Sequence, residues 1–272
     1  MRNSETFKDI QHALKRRFPD FAVENQDLEL DLASLEMLLG LASRQTHRKF
    51  QAVDPGIGLV RLLCTCALSA PSKGGLQQSD ILIVRNVEKR RAIAGLIPSQ
   101  PWISTAPVFL IFLANGKRVS EFSKSHHTAF QDDLLDAFFN PIVDTGVLLA
   151  NFMRAADAVG LGTCPISAIC IHAHPVSQLF ELPEKVIPVA GLCVGWPEDE
   201  GTIQSRLPLA VSLHEDKFEG KLEDKFKDNA RSRKSDRSKH FAGWTAEKAQ
   251  RVASSQATDF GSFVRSKGFD FR

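Results

Sequence analysis

The stretch Val186-Ile187-Pro188-Val189-Ala190-Gly191-Leu192-Cys193-Val194-Gly195-Trp196-Pro197 decides how this chain is read. Its apolar run falls far short of the about 20 residues a membrane helix needs. It is rich in β-branched residues and reads as a buried strand, Val186–Trp196. Gly191 and Gly195 inside such a strand predict close packing or the close approach of a ligand. Working outward, Ala106–Ala114 (APVFLIFLA) reads as a second buried strand, and Ile81-Leu82-Ile83-Val84 and Cys164–Ile169 as shorter ones. Helices are predicted between them: from Leu59 to about Ala70, over Asn86–Ile97, and around Val176–Phe180. A long helix is expected over Asp132–Val159, interrupted only by Asn140-Pro141 and Gly146. Gly160-Leu161-Gly162 ends it, and both glycines read as caps. Leu30, Leu32, Leu35, Leu38 and Leu39 give the first forty residues a partly amphipathic helical period. The tail from Phe218 is strongly charged and predicted helical, then polar. Irregular alternation of helices and strands predicts an α/β or α+β layer structure, one sheet under helices.

Composition excludes several classes. The 34 basic and 32 acidic residues leave a formal net charge of +2, without the basic excess of a nucleic-acid binder. The opening MRNSETFKDI has no apolar h-region, so no secretory signal and a cytoplasmic location are expected. Cysteines at 64, 66, 164, 170 and 193 are odd in number and form no C-x-x-C pair; reduced thiols are the simplest account. Cys64-x-Cys66 reads as helix packing. His126-His127 and His172-x-His174 lack a carboxylate or cysteine at ligand spacing, so they read as surface histidines and no metal is expected. Tyrosine is absent, which removes Tyr acid–base chemistry.

Four segments carry chemistry. In Arg44-Gln45-Thr46-His47-Arg48-Lys49-Phe50, an extended backbone puts Arg44, Thr46 and Arg48 on one face. Two guanidinium forks and a hydroxyl suit a phosphate, although a solvated basic patch has the same residues. Ala70-Pro71-Ser72-Lys73-Gly74-Gly75-Leu76-Gln77-Gln78 is small and donor-rich, as a ligand loop or an ordinary helix-to-strand loop would be. The third segment is Gly160-Leu161-Gly162-Thr163-Cys164-Pro165-Ile166-Ser167-Ala168-Ile169. The fourth is the opening strand, followed by Gln204-Ser205-Arg206-Leu207-Pro208.

The order of these motifs, from about Ser43 to Pro208, resembles the nitroreductase family of flavoproteins. RLPLAVSLHEDKF and the basic segment after it resemble its NADPH-preferring, oxygen-insensitive nitroreductase and flavin reductase subgroup. The resemblance implies an α+β fold with a central mixed, mainly antiparallel sheet flanked by helices, in an intertwined homodimer. It leaves residues 1–40 as an N-terminal helical extension and 41–272 as the FMN-binding domain with a charged helical tail. It further implies that Arg44 and Thr46 contact the FMN phosphate or ribityl chain, with Arg206 as a second phosphate-binding arginine. Arg48 would lie near flavin N1 and O2, where a cation favours the reduced anion. Gln100 would meet the pyrimidine edge, and the strand at Ile166, Ser167 and Ala168 would approach N5 and O4. Pro71, Ser72, Lys73, Gly75 and Gln77 would reach the flavin of the partner subunit.

Two positions depart from the family pattern. Gln204 stands where relatives usually have lysine, removing a charge from the phosphate site unless Lys73 or another group compensates. Gly75 stands where many have asparagine. The chemistry implied is ping-pong hydride transfer from NADPH or NADH through flavin N5 to a nitroaromatic, quinone or flavin, with no protein nucleophile or general acid. Arg233 and Arg237 align with basic residues that bind the NADPH 2′-phosphate. Two alternatives remain: a flavin-binding sensor or store without turnover, and a specialised relative that consumes FMN or dehalogenates reductively. The short polar segment 115–131, where such relatives carry a lid, argues against the latter.

Overall fold

The computed structural model describes residues 2–18, 20–21, 30–128, 134–218, 250 and 259–269. Contacts group the chain into two units, Met1–Gln45 with Thr202–Ala257, and Thr46–Gly201 with Thr258–Arg272.

In the first unit, helices α1 (Arg2–Arg17) and α2 (Leu32–Ser43) pack together. Ile10, Ala13, Leu35 and Ala42 form a small buried cluster, with Phe7, Leu14, Leu39 and Ile203 against it. Asp31 caps α2, its carboxylate accepting from Ser34 N at 2.8 Å, a contact typically worth about 1 kcal/mol. The expected leucine period is only partly a packing face. Leu35 is buried and Leu39 half-buried, whereas Leu38 is exposed together with Met37 and Leu41.

The second unit is built on a four-stranded sheet of order β1-β2-β4-β3, with all three pairings antiparallel. The strands are β1 (Ser79–Ile83), β2 (Val108–Asn115), β3 (Gly162–Ile166) and β4 (Val186–Gly195). On β2 the two side-chain faces separate cleanly. Phe109, Ile111 and Leu113 enter one cluster with Ile93, Ile103, Ile169, Val176 and Cys193, beneath α4 (Val87–Leu96), α5 (Trp102–Thr105), α8 (Ala168–Ile171) and α9 (Ala173–Leu179). Val108, Leu110 and Phe112 enter the other with Val60, Leu63, Leu148 and Phe152, beneath α3 (Ile57–Leu68) and α7 (Leu134–Ala158). Burial on both faces is why the sequence is apolar without alternation. Phe112 and Phe152 meet edge to face at 5.9 Å between centroids.

The long helix α7 tolerates Pro141 inside it. A proline there leaves the carbonyl four residues back without its helical donor, and Gly116 is the residue packed against that carbonyl, Ala137 O. The end of α7 follows the expected capping logic at Gly160. Its φ is +79°, its N–H donates to Asp157 O (3.0 Å), and Leu161 N donates to Ala156 O (2.9 Å), the two bonds of a Schellman motif. Gly162 differs from expectation. It opens β3 rather than capping α7, and the space where a Cβ would sit is taken by the His47 ring, 2.9 Å away. Gly191 and Gly195 are packed against Phe109 and Pro107, the close packing that the strand pattern allowed.

Two further boundaries move. The strand expected over Cys164–Ile169 ends at Ile166, because Ser167 turns into helical backbone (φ −69°, ψ −22°) and opens α8. Helix α6 (Lys117–Ser125) occupies most of the described part of the polar segment after β2. Helix α10 (Leu209–Ser212) belongs to the first unit, where the Asp20 carboxylate accepts from Leu209 N and Ala210 N. Helix α11 (Phe260–Ser266) belongs to the second and contacts α9.

Candidate flavin site

In the first unit, Arg44 leaves α2 with φ −49° and ψ 135°, an extended conformation, and is half-buried. Its carbonyl accepts a hydrogen bond from Arg17 Nη2 at 2.5 Å. Arg17 Nε donates to Ala42 O at 3.2 Å and Nη1 to Gln204 O at 3.5 Å, while Arg206 N donates to Arg17 O at 2.7 Å. The structure thus brings Arg44, Gln204 and Arg206 together around one buried residue. The Gln204 and Arg206 side chains are exposed. Desolvation, then the charges of Arg206 and Arg44, holds the Arg17 guanidinium below its ordinary pKa.

In the second unit, residues 47–51 run along β3 and Trp196: His47 N donates to Thr163 O, Gln51 N to Trp196 O, and Glu198 N to Lys49 O. Phe50 bridges to Pro197. His47 turns its ring onto Gly162, with Nδ1 3.5 Å from Asp199. Thr46 is half-buried. Arg48 points to solvent, its guanidinium 5.4 Å from the centroid of the Trp102 ring. The indole Nε1 of Trp102 is buried without a hydrogen-bond partner among the described residues. Gln100 is half-buried at the entry to α5, its carbonyl accepting from Ile103 N.

The loop after α3 is held in place by α7. Lys73 N donates to Asp144 Oδ1 and Lys73 Nζ to Asn140 Oδ1, both at 3.0 Å. Ser72 Oγ accepts from Gln77 N at 3.0 Å. Gln77 has φ +51°, and its carbonyl accepts from Arg118, which also meets Asp80 at 2.5 Å. Pro71, Ser72, Gln77, Asp80, Arg118, Asp144 and neighbouring residues line a cavity of about 190 Å³. Gly75 has φ +70°, with open space where its Cβ would be. Asparagine tolerates that left-handed backbone better than other side chains do, so the glycine keeps the loop's conformation and gives up only the side-chain contact. Ile166 is buried at the end of β3 opposite Gly191, and Ser167 and Ala168 follow in the first turn of α8. Arg233 and Arg237 lie outside the described residues.

Sequence reasoning missed Arg17, Asp144 and the stacking of Arg48 on Trp102. One signal was available for Arg17: it stands seven residues after Ile10 and four after Ala13, on the helix face that is buried.

Residues 41–196, more than half of the chain, match the Nitroreductase family, and the chain belongs to it. An FMN reductase [NAD(P)H] of Bacillus subtilis (strain 168) is 35% identical over 153 residues, 55% of this chain and 61% of the relative. An oxygen-insensitive NADPH nitroreductase of Salmonella typhimurium is 30% identical over 157 residues, 58% of this chain and 64% of the relative. The chain therefore matches just under two thirds of the length of these two curated relatives. Among solved structures, B. megaterium NfrA2 superposes with a TM-score of 0.78 at 27% identity, covering 87% of this chain and 99% of the other. The NADPH:FMN oxidoreductase from Vibrio harveyi complexed with NAD+ gives 0.74 at 25% identity, covering 86% and 97%. The fold is thus nitroreductase-like and α+β, as the motif order implied. Among the described residues no helix is long and apolar enough to cross a membrane.

Proposed function

We propose that this chain is an FMN-dependent NAD(P)H oxidoreductase that works as a homodimer and reduces a small-molecule acceptor: a nitroaromatic, a quinone or a flavin. The observation that carries the reading is the arginine group of the first unit, in a chain that belongs to a family whose similar members are named FMN reductase and NADPH nitroreductase. Guanidinium forks fit a dianionic phosphate, so this donor set suits the cofactor.

When bound, FMN supplies a two-electron centre that accepts and passes on hydride. The residues of this chain bind and orient it. Arg44, Thr46 and Arg206 hold the phosphate, with Gln204 as a neutral donor beside them. Arg48 places its cation at the pyrimidine side, with Gln100. The chain at Ile166, Ser167 and Ala168 offers small residues and backbone N–H groups to the redox edge. Pro71, Ser72, Lys73, Gly75 and Gln77 serve the flavin held by the partner subunit. Arg233 and Arg237 clamp the NADPH 2′-phosphate. The dimer is supported by α7, where Leu135, Phe139, Val143 and Val147 stand at four-residue spacing, all exposed. Such an apolar stripe on one helix face is what a partner helix covers.

The purified protein's absorption spectrum tests the cofactor. A yellow protein bleached anaerobically by NADPH or NADH is expected; a colourless protein that takes up no FMN overturns the reading. A yellow protein bleached by neither donor is a binding protein without turnover. Arg44→Ala should lose FMN while Arg233→Ala keeps it, and Arg233→Ala should raise KM for NADPH but not for NADH.

A further inference from the structure

We propose that Arg17 is a third cation of the phosphate site and the residue that positions it, a role that rests on reading Arg44 and Arg206 as the FMN phosphate site. Arg17 is 8% exposed, on the last turn of α1. Its guanidinium donates to the carbonyls of Ala42, Arg44 and Gln204, and its own carbonyl accepts from Arg206 N. A single side chain therefore ties together the two segments, far apart in sequence, that carry Arg44 and Arg206.

Backbone bracing alone does not account for the charge. A buried guanidinium is costly unless an opposite charge offsets it. Among the described residues no carboxylate forms an ion pair with Arg17, and after burial it is the like charges of Arg206 and Arg44 that lower its pKa. Carbonyl dipoles accept one bond each from its Nε, Nη1 and Nη2 and leave the net charge in place. A dianion bound beside Arg44 and Arg206 supplies an opposite charge for Arg17 as well. Gln204 is neutral, so the charge that this segment's side chain does not supply comes from α1 instead. The first helix becomes part of the binding site rather than an appendage to it.

FMN and riboflavin differ only in the phosphate, so their dissociation constants, read by flavin fluorescence, separate the charge from the brace. Arg17→Gln keeps amide donors and loses the charge. It should weaken FMN by about tenfold or more, the loss of one charge-assisted contact, while riboflavin changes less than about twofold. Adding Gln204→Lys to Arg17→Gln should recover most of the FMN affinity. Equal weakening of both flavins, or an unchanged FMN-to-riboflavin ratio, overturns the proposal. A wild-type protein without preference for FMN overturns the phosphate-site reading instead. If Arg17→Gln does not fold by circular dichroism, Arg17→Lys decides: a folded Lys variant that retains the FMN preference supports the charge role, and one that loses it refutes that role.

Discussion

The guanidinium of Arg48 lies over the indole ring of Trp102, 5.4 Å from its centroid. The two residues are 54 positions apart and meet because residues 47–51 run beside β3 while α5 enters β2. A cation resting on an aromatic face is held by roughly 0.5–1 kcal/mol at such an exposed site. Replacing Trp102 by Leu frees Arg48 from the place where it would favour reduced flavin. The FMN midpoint potential should then fall by about 10–20 mV, since about 30 mV corresponds to 1.4 kcal/mol for a two-electron couple. Trp102→Phe should fall less. Redox titration of the three proteins measures this, and an unchanged potential in Trp102→Leu separates Arg48 from flavin tuning.

The exposed stripe on α7 gives a test of assembly. Phe139→Asp with Val143→Asp places two charges on the face proposed to meet its partner. Sedimentation should show the double variant as a monomer where the parent is a dimer, and flavin content should fall with it. A dimeric double variant would move the interface to another face.

Gly162→Ala should lower the urea midpoint, because the new Cβ would meet Cβ and Cγ of His47 at 2.9 Å. Overpacking of this kind costs about 1–3 kcal/mol. Adding His47→Gly removes both of those atoms, so the double variant should lose less than the two single losses combined. Strict additivity would show that the ring does not fill that space.

Burial pushes the Cys64 and Cys170 thiols up to about 11 from an ordinary 9.0. Both stay protonated in the native state when the unfolded chain begins to ionise. The stability they contribute is therefore complete below about pH 9 and is lost as the pH rises toward about 11. Urea midpoints should fall over that interval, and the fall should shrink in Cys64→Ala with Cys170→Ala. An identical slope in both proteins assigns the alkaline loss to other groups.

Much of the fold was legible where one physical signal dominates. β2 and β4 are buried on both faces and read as unbroken apolar runs, and Gly160 capped α7 as its position suggested. Legibility failed where one pattern serves two structures. Ile166-Ser167-Ala168-Ile169 is as acceptable to a short buried helix as to a strand, so the end of β3 was misplaced. Gly162 looked like a second cap because a glycine after a helix says that something needs room, not what needs it. The His47 ring comes from another part of the chain, beyond any local pattern. Of the candidate site, the motif order was informative for the family, and the structure brings Arg44 together with Arg206. The bracing by Asp144 was illegible, since an acid inside a long helix resembles a solvated charge, and the spacing of Arg17 from Ile10 and Ala13 marks its face as buried without saying what it meets.

The bond from Arg17 to the carbonyl of Gln204 joins residues 187 positions apart. Closing so long a loop carries an entropic cost before any contact offsets it, and such pairings slow folding. On the ribosome, the arginine group cannot close until Gln204 and Arg206 have emerged. Helices α1 and α2 can pair early as a neighbouring couple, but the group proposed to take the FMN phosphate stays open until the segment of Gln204 and Arg206 reaches them. Closure of the group is thereby tied to the arrival of a distant segment, so a chain cut short of Gln204 should have α1 and α2 paired and the group open.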